Sequence, residues 1–122
     1  DLSGDESTIN VNDFTLDAGT GGATLRTGGS KGKVTVADGT LNAGGGVSVA
    51  ASTSGSEGSA VMQNATVTAG GDLKIETGSK GNTEVLDSFL NSNTLVRFAT
   101  GVGGNCKSQN NVLTAPLLQV CP

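Results

Sequence analysis

A five-residue pattern recurs along this chain in a fixed phase. It reads Thr15-Leu16-Asp17-Ala18-Gly19, then Thr40-Leu41-Asn42-Ala43-Gly44, then Thr66-Val67-Thr68-Ala69-Gly70. Successive copies begin at Thr15, Thr40 and Thr66, so the spacing is nearly constant. A second pattern keeps step with it: Thr27-Gly28-Gly29-Ser30-Lys31-Gly32, Thr53-Ser54-Gly55-Ser56-Glu57-Gly58 and Thr77-Gly78-Ser79-Lys80-Gly81. Two landmarks that hold one phase mark a repeat architecture, in which each unit buries its apolar side against the next.

The stretches between the landmarks alternate with period two. Ile9 and Val11 alternate with Thr8, Asn10 and Asn12; Val34 and Val36 alternate with Lys33, Thr35 and Ala37. A later stretch of each repeat carries Ala23 and Leu25, Val47 and Val49, Leu73 and Ile75, Val96 and Phe98. Such alternation over four to six residues is the signature of a strand. No 3.6-residue period is sustained, and glycines interrupt every helical window.

Three short strands per repeat with glycine-rich corners predict one coil of a parallel β-solenoid, an all-β fold. About four coils are expected, at residues 7–32, 33–58, 59–82 and 83–104, after a polar leader at residues 1–6. A disulfide-closed cap, or a strand-exchange segment, is expected at residues 105–122. The predicted inward columns are Leu16, Leu41 and Val67; Ala18, Ala43 and Ala69; and Val47, Val49, Leu73, Ile75, Val96 and Phe98. Lys31, Glu57 and Lys80 take the same place in successive corners and form a stacked charge ladder. In a neighbouring column Lys74 lies beside Arg97, and Glu76 is placed to offset the repulsion. The fourth repeat departs from the pattern, with Phe89-Leu90-Asn91-Ser92-Asn93-Thr94, as terminal repeats commonly do.

Composition agrees with a narrow aliphatic core. There are 20 Gly and three Phe, with no Trp, Tyr or His. The net charge of −4 is scattered, and no basic cluster exists to hold a phosphate backbone, so nucleic acid is not an expected partner. No apolar run approaches the roughly 20 residues that span a bilayer. The chain starts at Asp1 rather than Met, which suggests a processed form or an excised piece whose targeting segment is not visible.

Cys106 and Cys121 both lie in the non-repetitive tail. With no His and no third Cys, a zinc site is not expected. The pair reads as a disulfide, which places the chain in an oxidising compartment outside the cytoplasm; two reduced, buried thiols are the other reading. In the same tail Val112, Leu113, Leu117, Leu118 and Val120 are apolar enough to cover the end of the core or to pair with another subunit.

Residues 69–78, Ala-Gly-Gly-Asp-Leu-Lys-Ile-Glu-Thr-Gly, and residues 41–50, Leu-Asn-Ala-Gly-Gly-Gly-Val-Ser-Val-Ala, resemble the repeats of filamentous-haemagglutinin-type adhesins. The resemblance covers residues 7–104. It implies a right-handed parallel β-helix at a bacterial surface, serving adhesion or biofilm formation. The coils here are longer than that family's usual repeat. Asn105-Cys106-Lys107-Ser108, with Cys121, is similar to the C-terminal disulfide loop of type IV pilins; that likeness implies a pilin-like head, without the pilin helix. Neither family places catalytic residues on positions of this chain.

An enzymatic reading needs convergent acids, bases or metal ligands. The acids are dispersed, and Asp17 has Asn42 and Thr68 as its equivalents. Asp13 and Asp38 are closer to equivalent and would stack as a carboxylate pair, and solvated loop acids are the expectation there. Asp1, Asp5 and Glu6, with Asn10, Asn12 and Asp13, offer oxygen ligands for Ca²⁺, but in neither EF-hand nor nonapeptide spacing; a solvated acidic leader is expected, with no metal or cofactor. Thr15, Thr40 and Thr66 form an outward threonine column, although only Thr66-Val67-Thr68 has the Thr-x-Thr form of an ice-binding face. The expectation is a non-catalytic extracellular or cell-surface protein that self-associates through the ends of its solenoid into a filament or matrix. A monomeric adhesin or pilin-like head, binding a glycan or cell surface, is the alternative.

Overall fold

The computed structural model describes residues 2–121. Every regular element among them is a strand: β1 (Thr8–Asp17), β2 (Ala23–Thr27), β3 (Lys33–Ala43), β4 (Val47–Ser56), β5 (Ser59–Ala69), β6 (Leu73–Ser79), β7 (Asn82–Leu86), β8 (Phe89–Ser92), β9 (Leu95–Ala99), β10 (Asn105–Gln109), β11 (Val112–Thr114) and β12 (Leu117–Val120). They form a parallel β-solenoid. One sheet runs β1-β3-β5-β7-β10, with β8 and β11 continuing its second face; the other runs β2-β4-β6-β9-β12. Each strand hydrogen-bonds to its equivalent one coil further along, so Thr15, Thr40 and Thr66 stand side by side, as do Val47 and Leu73.

Each coil has three faces. The first two are fused in β1, β3 and β5 and separate in later coils as β7 with β8 and β10 with β11. The break falls on one column: Asp13, Asp38, Asn64, Asp87 and Asn110, with φ of 50°, 57°, 51°, 51° and 57°. Asp and Asn are the side-chain-bearing residues that best tolerate this left-handed region. The column is therefore a corner, turned the same way in every coil. A second left-handed column is formed by Glu6, Lys31, Glu57 and Lys80, with φ of 58°, 58°, 59° and 53°, and by Gly103 at 77°.

The expected cap is itself a coil. Residues 105–121 continue the stack as a fifth turn: β10 pairs with β7, β11 with β8 and β12 with β9, all parallel. The physical reason is edge satisfaction. The fourth coil presents open backbone groups, and the tail's own alternation supplies the complementary strands. Cys106 and Cys121 form a disulfide between β10 and the residue after β12. It ties the start of the fifth coil to its end, one coil beyond the Thr83–Ala99 hydrogen bond.

The core is a single file of aliphatic layers. Val34, Val36, Val49, Met62, Val67, Leu73, Ile75, Val85, Val96 and Phe98 are fully buried. Leu41, Ala43, Val47, Ala69 and Leu90 join them, and Ala18 packs against them while half-buried. A Cβ at Gly39 would run into the Phe14 ring, which lies over it and would have to shift. Polar groups at the remaining corners are served by buried hydroxyls. Ser52 Oγ accepts from Gly32 N at 2.9 Å, Thr83 Oγ1 donates to Ala99 O at 2.9 Å, and Ser92 Oγ donates to Gly71 O at 2.7 Å. These hydroxyls meet the requirement that buried backbone groups be paired.

Coil length is not constant. Between β4 and β6 the pairing shifts from Ala51 opposite Thr77 to Ser56 opposite Ser79. The additional residues bulge outward at 53–55, beyond the buried Ser52, and pairing resumes at Ser56.

Candidate functional sites at the ends and flank of the stack

The N-terminal end is an open cross-section of the core. No preceding strand covers β1 among the described residues. Val11, Phe14, Leu16, Ala18, Ala23 and Leu25 line a cavity of about 240 Å³ there. Leu16, expected inside, is 38% exposed. It faces inward, in register with Leu41; its exposure comes from having a neighbour on one side only. The leader covers just part of this end. Leu2 lies beside Thr27, Leu2 N donates to Arg26 O at 2.9 Å, and Glu6 N donates to Ser30 O at 2.8 Å.

The C-terminal end mirrors this. Leu113 stands over Leu90, Leu118 over Val96 and Val120 over Phe98. Leu118 is 48% exposed, and Val112 and Leu117 are exposed too. Val112, Leu113, Leu117, Leu118 and Val120 thus belong to the fifth coil, and the inward-facing ones among them form its open apolar surface. The disulfide lies at the rim of that surface.

The flank carries the charged groups. Lys74 stands beside Arg97 across β6 and β9, and Arg97 Nε lies 3.5 Å from Glu76 Oε2. Lys74 Nζ lies 3.9 Å from Asp72 Oδ2. Arg26, Glu76 and Arg97, with the 53–55 bulge at one side, frame an open groove of about 460 Å³ on this sheet. Lys31, Glu57 and Lys80 occupy one corner column joined through backbone bonds, Lys31 N to Ser56 O and Glu57 N to Ser79 O. Glu6 lies at the foot of this column and Gly103 at its head, additions that only the backbone conformation reveals.

Asp13 and Asp38 stack in the left-handed corner, where both are exposed. Asp38 Oδ1 accepts from Asn64 Nδ2 at 2.9 Å, so the corner column is a mixed Asp and Asn ladder. Asp1 lies outside the described residues. Asp5 Oδ1 accepts from Ser30 N at 2.9 Å, which fastens the leader to the first coil. Among the described residues no three Asp, Glu, His or Cys side chains gather as a metal site. The threonine column runs Thr15, Thr40, Thr66 and then meets Phe89, which is 59% exposed and ends the regular hydroxyl face. Among the described residues no helix is long and apolar enough to cross a membrane.

Comparison with known protein families, curated proteins and solved structures found no match to this chain.

Proposed function

We propose that the protein is a non-catalytic extracellular structural protein that self-assembles through the ends of its solenoid into a bacterial surface filament or matrix. The observation that carries this reading is the pair of open ends. Among the described residues, each end combines an uncovered layer of aliphatic side chains with unpaired strand edges, at β1 on one side and at β10 to β12 on the other. Open edges of this kind template pairing with another chain unless they are blocked. The disulfide supports an oxidising location, and the likeness of residues 41–50 and 69–78 to haemagglutinin-type repeats supports a bacterial surface. Sedimentation velocity over a hundredfold range of concentration, followed by negative-stain microscopy, tests the reading. Linear particles are expected, and monomers at every concentration and ionic strength would sink it.

A second reading, a monomeric adhesin or pilin-like head, is favoured by the flank groove. Arg26, Glu76 and Arg97 provide charged and hydrogen-bonding groups on an open, shallow surface suited to a saccharide. Binding to a glycan array that disappears in Arg97→Ala, with the protein remaining monomeric, would establish this reading over the first.

A further inference from the structure

The two ends of the stack are stepped, and the steps are complementary. Cys121 N donates to Phe98 O at 2.9 Å, which seats Cys121 over Ala99. The described residues of the fifth coil stop there, so none of them covers the corner at residues 100–104. At the opposite end the leader lies under the equivalent corner of the first coil. Leu2 sits beside Thr27, whose column runs through Ala51 and Thr77, and Thr77 is followed one coil later by Thr100, the residue after Ala99. Cys121 and Leu2 therefore occupy consecutive places along a coil.

We infer that these ends are two halves of one joint: the C-terminal face of one copy receives the N-terminal face of a second copy, head to tail, and the second copy's leader fills the step in the first copy's fifth coil. The inference rests on the self-association reading above and specifies its geometry.

The columns that meet across such a joint are matched. Leu113 meets Leu16, Leu118 meets Ala23 and Val120 meets Leu25, each pair continuing an inward apolar column. In the corner column Asn110 meets Asp13, an amide beside a carboxylate, as Asn64 and Asp38 are within the chain. On the outer face Lys107 meets Asn10 and Gln109 meets Asn12, so like charges do not oppose each other there. Glu6 of the leader comes to rest on Gly103, extending the second left-handed column without a break. Each copy then adds five coils, a rise of about 24 Å at the usual strand spacing.

The test uses the whole chain and two blocked variants. Leu16→Lys places a charge in the N-terminal face, and Leu118→Lys places one in the C-terminal face; both sites are partly exposed, which favours retention of the fold. Thr15→Lys, directed outward on the same strand as Leu16, is the control and is expected to assemble as the unaltered chain does. The unaltered chain is expected to form linear particles with an axial repeat of about 24 Å, five times the strand spacing. Each blocked variant alone is expected to sediment as a monomer, and an equimolar mixture as a dimer and nothing larger. Dimers from either variant alone would show a symmetric joint, and filaments from both would show lateral contact. Either result overturns head-to-tail docking while leaving self-association standing. An unaltered chain that stays monomeric removes the functional reading and this joint together. Deletion of residues 1–7 is expected to weaken association at least tenfold with an unchanged far-UV spectrum and melting profile, and undiminished association would remove the leader from the joint.

Discussion

Replacing both cysteines with serine is expected to loosen one coil and leave the others alone. The disulfide joins residues 15 apart in sequence. A closed loop of that length contributes about 3 kcal/mol by restricting the unfolded segment. Among the described residues the fifth coil has a hydrogen-bonded neighbour on one side only, through β7, β8 and β9. Its inward residues Leu113, Leu118 and Val120 are partly exposed, so little apolar burial resists opening. In a linear array where each repeat touches only its neighbours, losing the staple on a terminal unit is a local event. A loss of about 3 kcal/mol corresponds to roughly a 150-fold rise in the opening equilibrium. Hydrogen exchange read amide by amide, at low protein concentration to exclude assembly, is the assay. Protection in β10, β11 and β12 should fall by about two orders of magnitude, while β3 to β6 stay within threefold of the unaltered protein. Equal loss in every strand would refute the local reasoning, and unchanged protection in β10 to β12 would refute the stapling role.

Other expectations follow from the core and the corners. Phe98→Ala empties the largest fully buried side-chain site and should cost about 3–5 kcal/mol in urea unfolding. Asn64→Val forces a β-branched residue to φ near 51° and removes the bond to Asp38; a loss of about 1–3 kcal/mol is expected, with Asn64→Gly close to neutral by the same measurement. Gly39→Leu should displace the Phe14 ring and lower the melting temperature, with an accompanying change in the near-UV phenylalanine bands. Arg97→Ala removes a pair whose arginine side chain is 42% exposed; thermal melting should register less than about 1 kcal/mol.

The repeat phase makes the fold legible because a solenoid repeats its physics as well as its residues. The evenly spaced Thr15, Thr40 and Thr66 translate directly into neighbours across β1, β3 and β5. The neighbourhood of Lys74, Arg97 and Glu76 follows from the same register. The fifth coil is harder to see because residues 105–121 carry none of the Thr-x-x-Ala-Gly landmarks. What they share with earlier coils is alternation and the position of Asn110. That residue belongs to a corner column that recurs once per coil, through Asp13, Asp38, Asn64 and Asp87. The signal is present but disguised, since Asp and Asn interchange wherever left-handed tolerance, rather than charge, is what the site requires. Leu16 illustrates a different limit: its sequence neighbourhood matches that of buried Leu41, and its exposure depends on lying in the outermost described coil. The groove formed by Arg26, Glu76 and Arg97 likewise exists only once four coils are superposed.

The bulge at residues 53–55 separates the function of length from that of position. The ladder aligns each residue by its neighbour above and below, so a corner can lengthen or shorten without disturbing the coils beyond it. That corner is therefore a natural port in the scaffold. A foreign peptide spliced between Thr53 and Gly55 would be displayed outward at a fixed height on the stack, and, if copies join end to end, at regular intervals along a fibre.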